Sequence, residues 1–274
     1  MVDVVPELLS EIETSFQKHT MSDRRLAQVS KRIRDGTATQ ADGHTYAECL
    51  GKNASKALRD VLTEENLPDG KLYYNIATRT VIPTLENNQK MINDAAADIQ
   101  KVIDGKNKIY LNTLKPDFPK ERVNGLIDKM TADDITLEQA LVWIKEPIVN
   151  NSEAFFDDFI RTNAEFRSES GLKTKVSRIP EAKCCQWCEN LAGTYDYGTE
   201  PDEFYARHES CRCTVTYINE RKRESQNVWS KKTWQSTPEE LARRANTQRQ
   251  TTSVEERQEE LKQLDSARKR AKRR

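Results

Sequence analysis

Apolar residues recur every three to four positions over most of the chain before Gly171, the spacing that gathers them on one face of an α-helix. Leu8, Leu9, Ile12 and Phe16 form the first such stripe, with Pro6 near its first turn, where a missing N–H costs nothing. Leu26, Val29 and Ile33 form a second stripe. Ser22 or Asp23 can cap it, and Gly36 is placed to end it. Beyond a turn at Thr37 to Thr39, the positions Tyr46, Cys49, Leu50, Ala57, Leu58, Val61 and Leu62 share a face and are expected in the core. Leu67-Pro68-Asp69-Gly70 reads as a turn. Tyr74, Val81, Leu85, Ile92, Ala96, Ile99 and Ile103 then predict a long helix, kinked at Pro83 and closed by Gly105. Short helices are expected over Glu121 to Met130 and from Thr136, where Leu137, Ala140, Leu141 and Ile144 cluster ahead of Pro147. Phe155, Phe156, Phe159 and Ile160 mark an aromatic helix, and no solenoid-length repeat is present.

The pattern changes near Gly171. Lys175-Val176-Ser177-Arg178-Ile179 reads as a short strand stopped by Pro180, and the β-branched run Cys213-Thr214-Val215-Thr216-Tyr217-Ile218 as another. After Arg221-Lys222-Arg223 comes a polar segment with Trp229 and Trp234. Two capping-box patterns there, Thr237 to Glu240 and Ser253 to Glu256, start polar helices with few apolar positions. The expected fold is therefore mainly α with a small β-containing Cys/His module, an α+β chain in three parts. These are a helical body over 1–172, the module over 173–220 and a basic polar helical tail over 221–274.

Composition sharpens the division. The 274 residues are 36% hydrophobic and 32% charged, polar for a single core and suited to an elongated or multi-part molecule. No stretch approaches a membrane span, and Met-Val-Asp-Val-Val-Pro-Glu lacks the features of a secretion signal, so synthesis in the cytoplasm is expected. The zero net charge conceals two electrical ends. From Arg221 onward there are 16 Lys/Arg against 8 Asp/Glu, which leaves 28 against 36 before it. The cations Arg268, Lys269, Arg270, Lys272, Arg273 and Arg274 suit either an acidic partner such as double-stranded DNA or a solvated helix end.

Five of the six cysteines fall within thirty residues: Cys184, Cys185 and Cys188, then Cys211 and Cys213, with His208 just before the second pair. In a reducing compartment such clustering points to metal. Two cysteines three apart on a tight turn aim both sulfurs at one ion, and a second cluster after a 22-residue interval completes a tetrahedron. The expected cofactor is structural zinc, its ligands drawn from Cys185, Cys188, His208, Cys211 and Cys213. These are five candidates for four places, and spacing does not decide whether His208 or one of the last two cysteines is left out. Cys184 is not expected as a ligand, because adjacent side chains rarely point the same way. A disulfide framework, a Cys nucleophile activated by His208 and plain buried thiols are the competing readings; the last fits Cys49. His19 and His44 stand apart and support no functional assignment.

The order Cys185-Gln-Trp-Cys188, Leu191-Ala192-Gly193-Thr194-Tyr195, Pro201, His208-Glu-Ser-Cys211-Arg-Cys213-Thr214-Val215 resembles the signature that ends the conserved domain of phage minor head proteins, also called Mu F-like head-morphogenesis proteins. Leu67 to Ile76 is similar to helical regions of relatives from phages of Gram-positive hosts. The resemblance covers roughly residues 20 to 235 and is specific around 180 to 218. It implies a low-copy protein built into the head during assembly in the host cytoplasm, and this chain is expected to be a structural component rather than an enzyme. It further implies association with the portal protein or the major capsid protein and, in some members, with packaged DNA. Longer members carry a further C-terminal toxin or transferase domain, where this chain offers polar helices.

Two other function classes compete. A head-delivered toxin or nuclease with catalytic metal needs an open coordination place and a carboxylate base; Glu189, Glu200 and Glu209 are near in sequence but form no recognised motif. A zinc-stabilised DNA-binding regulator needs a reading helix, and Gly193, Gly198 and Pro201 interrupt the stretch that would supply it.

Overall fold

The computed structural model describes residues 3–182 and 184–220, together with 237–239 and 242–243. Seven helices come first: α1 Val5–Ser22, α2 Arg24–Arg34, α3 Gln40–Val61, α4 Tyr74–Asn107, α5 Lys120–Met130, α6 Leu137–Trp143 and α7 Lys145–Glu169. Then follow β1 Lys173–Ile179, a short α8 Gln186–Leu191, β2 Gly193–Asp196 and β3 Thr214–Glu220. This is the expected mainly helical fold with a small antiparallel sheet beside a Cys/His cluster.

Local chemistry explains most boundaries. Asp23 caps α2 by accepting from the N–H groups of Arg25 and Leu26, and Thr39 with Asp42 forms a capping box at the start of α3. Thr136 and Gln139 do the same for α6. Pro147 falls in the first turn of α7, where its absent N–H is tolerated, so it opens a helix rather than ending one. Helix α4 continues through Pro83 and also through Gly105. It closes instead at Lys108, in the left-handed region at φ 55°, and Ile109 N–H returns to the Asp104 carbonyl at 2.9 Å. Burial of Asp104 and Ile109 fixes that cap three residues later than the glycine predicts.

Helices α3 and α7 approach closely because glycine lets them. A Cβ on Gly43 would lie 2.2 Å from the Phe156 ring, and one on Gly51 would lie 2.9 Å from the Val149 Cα. The sheet has the order β2-β1-β3, with Val176 opposite Tyr195 on one side and Tyr217 on the other. The outer edge of β3 is covered by α3 side chains. Tyr217 N–H donates to Gln40 Oε1 at 2.8 Å, and His44 Nε2 lies 2.9 Å from both the N–H and the carbonyl of Val215.

The expected boundary at residue 172 does not hold as a division between cores. Met1–Lys222 is one compact unit and Arg223–Arg274 a second. Val176, Phe204, Val215 and Tyr217 belong to the same buried cluster as Leu50, Leu85, Phe156 and Ile160. Arg167, with no exposed surface, binds Asp104 of α4 through both carboxylate oxygens at 3.0 and 2.6 Å and places its guanidinium 5.5 Å from the Tyr217 ring. A three-stranded sheet with a four-residue edge strand is too small to bury a core of its own, so it borrows that of the helices. Thr237 precedes helical Pro238 and Glu239, whereas the second capping box and the tail cations Arg268 to Arg274 lie outside the described residues.

Candidate metal centre

Two structural segments deliver the donors. Cys185 is the N-cap residue of α8, and Cys188 lies one turn in and is buried. The predicted tight turn is thus the start of a helix, whose i to i+3 spacing brings both side chains to one face. The second segment is the loop from His208 to Cys213 that leads into β3. Ser210, in the left-handed region at φ 58°, turns it back so that Cys211 N–H reaches the His208 carbonyl at 3.1 Å.

All five sequence candidates converge. Cys185, Cys188 and His208 form one group and Cys188, Cys211 and Cys213 another, with the donor atoms of each group within 4.8 Å of one another. Cys188 is common to both. Cys184 packs beside the cluster but belongs to neither group, as adjacency to Cys185 predicts. All six cysteines are free thiols, and Cys188 Sγ stands 3.8 Å from Cys211 Sγ, so the sulfurs are not paired in disulfides. A tetrahedral ion with metal–sulfur bonds of about 2.3 Å sets its sulfurs about 3.8 Å apart. His208 Nε2 lies 3.0 Å from Cys188 Sγ and 3.3 Å from Cys185 Sγ. Its Nδ1 lies 2.6 Å from the Glu209 carbonyl, which can only accept, so Nδ1 is the donor there and Nε2 is the nitrogen turned toward the sulfurs. These Cys/His groups can hold a metal ion.

Protonation fits that use. Burial raises the Cys188 thiol, and the hydrogen bond with Cys213 together with burial pushes Cys211 up to about 12. The hydrogen bond from Cys211 lowers Cys213, and the backbone N–H of Cys188 lowers Cys185. A cation entering the cluster therefore displaces protons from the buried thiols, which couples binding to pH.

The donor loop is fastened to the helical body by arginines that sequence reading did not single out. Arg207 clasps Asp157 of α7, with Nε to Oδ2 and Nη2 to Oδ1, and donates to the carbonyls of Cys211 at 3.3 Å and Cys213 at 3.0 Å. Arg212 reaches Glu146 at 2.7 Å and Glu153 at 3.2 Å, and Asn150 Nδ2 donates to the His208 carbonyl at 3.1 Å. His44, unassigned from sequence, is buried against this network; burial depresses its imidazole to about 4, so it is neutral. No family model, no curated protein and no solved structure matches this chain. No helix among the described residues is long and apolar enough to cross a membrane.

Proposed function

We propose that this chain is a minor head protein of a tailed bacteriophage, a structural component whose Cys/His cluster binds one zinc ion. The gathering of every Cys and His in the head-protein-like signature into two groups that share Cys188 carries this reading. Metal ligands have to assemble in space, and here residues 185, 188 and 208, and residues 188, 211 and 213, do so around the shared Cys188. Zinc suits a set of thiolates and one imidazole at tetrahedral spacing. Five donors crowd four coordination places, which leaves no open place for a water nucleophile and favours a structural over a catalytic centre. In this reading the acidic body docks on the portal protein or the major capsid protein inside the head. The tail cations Arg268 to Arg274 meet packaged double-stranded DNA.

Protein analysis of purified heads from the phage that encodes the chain tests the assignment. A few copies per particle are expected; heads complete and infectious without it overturn the reading. The tail is tested separately by duplex-DNA affinity against salt for the full chain and for a chain ending at Leu264. Each phosphate contacted contributes about 0.9 log unit of affinity per log unit of salt. Equal affinities remove DNA from the list of partners.

A further inference from the structure

Arg178 is a buried side chain of the sheet whose charge no carboxylate among the described residues balances. It projects from β1, opposite Gly193 of β2 and Val215 of β3, and is only 2% exposed. Nη1 donates to the carbonyls of Phe204 and Ala206, and the guanidinium lies 5.5 Å from the Trp187 ring. Nη2 faces Cys188 Sγ at 3.9 Å and Cys211 Sγ at 3.6 Å, while Nε has no hydrogen-bond acceptor. Among the described residues no carboxylate pairs with it, in contrast to Arg167, Arg207 and Arg212. A buried guanidinium is strongly disfavoured unless an anion balances it. The groups facing its Nη2 that can become anionic are the sulfurs of Cys188 and Cys211.

From this we infer that Arg178 is the counter-ion of a net-negative metal–thiolate centre in which Cys188 and Cys211 are both bound as thiolates, so that the donor left out is Cys185, His208 or Cys213. The inference rests on the zinc reading above and narrows it. A divalent ion with two thiolates and two neutral donors is electrically neutral and leaves Arg178 uncompensated. With three thiolates and His208 the centre carries one negative charge, and with four thiolates two. The first is balanced, and the second halved, by a cation hydrogen-bonded to the sulfurs, which withdraws electron density from them and holds both ligand segments to β1. Arg178 is accordingly a positioning residue, joined to the ion only through its ligands.

X-ray absorption at the zinc edge of the full, zinc-loaded chain counts the ligands directly. Three or four sulfurs at about 2.3 Å are expected; two sulfurs with two nitrogen or oxygen neighbours overturn the inference while leaving zinc binding intact. A wild-type chain that takes up no zinc defeats the zinc reading itself, a distinguishable result. The role of Arg178 is read by chelator competition on two variants. Arg178→Gln, which keeps a donor and loses the charge, is expected to weaken zinc affinity about 10- to 100-fold, the range typical of outer-sphere changes. Arg178→Lys, which keeps the charge, is expected to recover most of that loss. Affinity unchanged in Arg178→Gln, or lost equally in both variants, shows that charge is not what Arg178 supplies. The sulfur count on the wild-type chain stands even where a variant fails to fold.

Discussion

Replacing Arg167 by methionine tests whether sheet and helices share one core. Arg167 has no exposed side-chain surface and Asp104 only 6%, and the two are joined by paired contacts of 2.6 and 3.0 Å. Methionine fills a similar volume but leaves the Asp104 carboxylate buried, with Gln100 Nε2 at 2.8 Å as its remaining side-chain donor. Removing one partner of a buried pair costs about 3–5 kcal/mol, far more than a surface pair of about 0–1 kcal/mol. The contact with the Tyr217 ring, 5.5 Å away, adds a smaller cation–π loss of about 0.5–2 kcal/mol that loosens β3. Urea unfolding of the zinc-saturated protein measures the cost, and the double variant Arg167→Met, Asp104→Asn separates its origin. Neutralising Asp104 removes the stranded charge and keeps an acceptor for Gln100, so the double variant is expected to be more stable than Arg167→Met alone. A loss below about 1 kcal/mol for Arg167→Met, or no recovery in the double variant, refutes the reasoning that this pair is buried and uncompensated elsewhere.

Two glycines should respond oppositely to alanine. In Gly51→Ala the methyl group meets Ser152 and the α7 backbone at 2.8–2.9 Å, and overpacking of about 1–3 kcal/mol exceeds the propensity gain of up to about 1 kcal/mol, so the midpoint of unfolding falls. Gly125→Ala, in α5 with nothing within 4 Å, should be stabilising by about 0.5–1 kcal/mol; the same sign for both would contradict the packing account. Burial pushes Glu153 up to about 8, so between the ordinary carboxylate range and pH 8 the folded state holds a proton that the unfolded chain has released, and stability falls as pH rises through that window. Unfolding of wild type and Glu153→Gln at pH 5.5 and 8 checks the sign: the variant should gain on wild type at the higher pH, and a difference independent of pH sinks the idea. Cys188→Ser removes the donor common to both groups, so proteolysis should open the segments around 184–192 and 206–213 while β1 and β3, packed in the helical core, stay protected; cleavage throughout residues 5–170 is the contrary result.

The helical body was legible because its stripes are long and its caps local. Asp23, Thr39 and Thr136 lie within three residues of the N–H groups they serve. The sulfur donors were legible from spacing alone. What escaped sequence reading depends on contacts distant along the chain. Strand β2 has four residues and begins at Gly193, too short for an alternating pattern to stand out. In β1, alternation from Val176 sends Arg178 to the core face and leaves Ile179 56% exposed, the reverse of what hydrophobicity favours. Arg207 finds Asp157 fifty residues away, and His44 finds Val215 across 171. Such polar groups read as solvent-facing until the fold supplies their partners. The domain division at residue 172 failed for the same reason, since a change of local pattern does not reveal that Val176 and Tyr217 pack on helices.

Metal content of the full chain, purified without chelator, tests the central claim most directly. Elemental analysis is expected to find about one zinc per chain, with thiols that react fully only after the metal is removed. A folded protein free of metal, its cysteines either all reactive or joined in disulfides, would contradict the account.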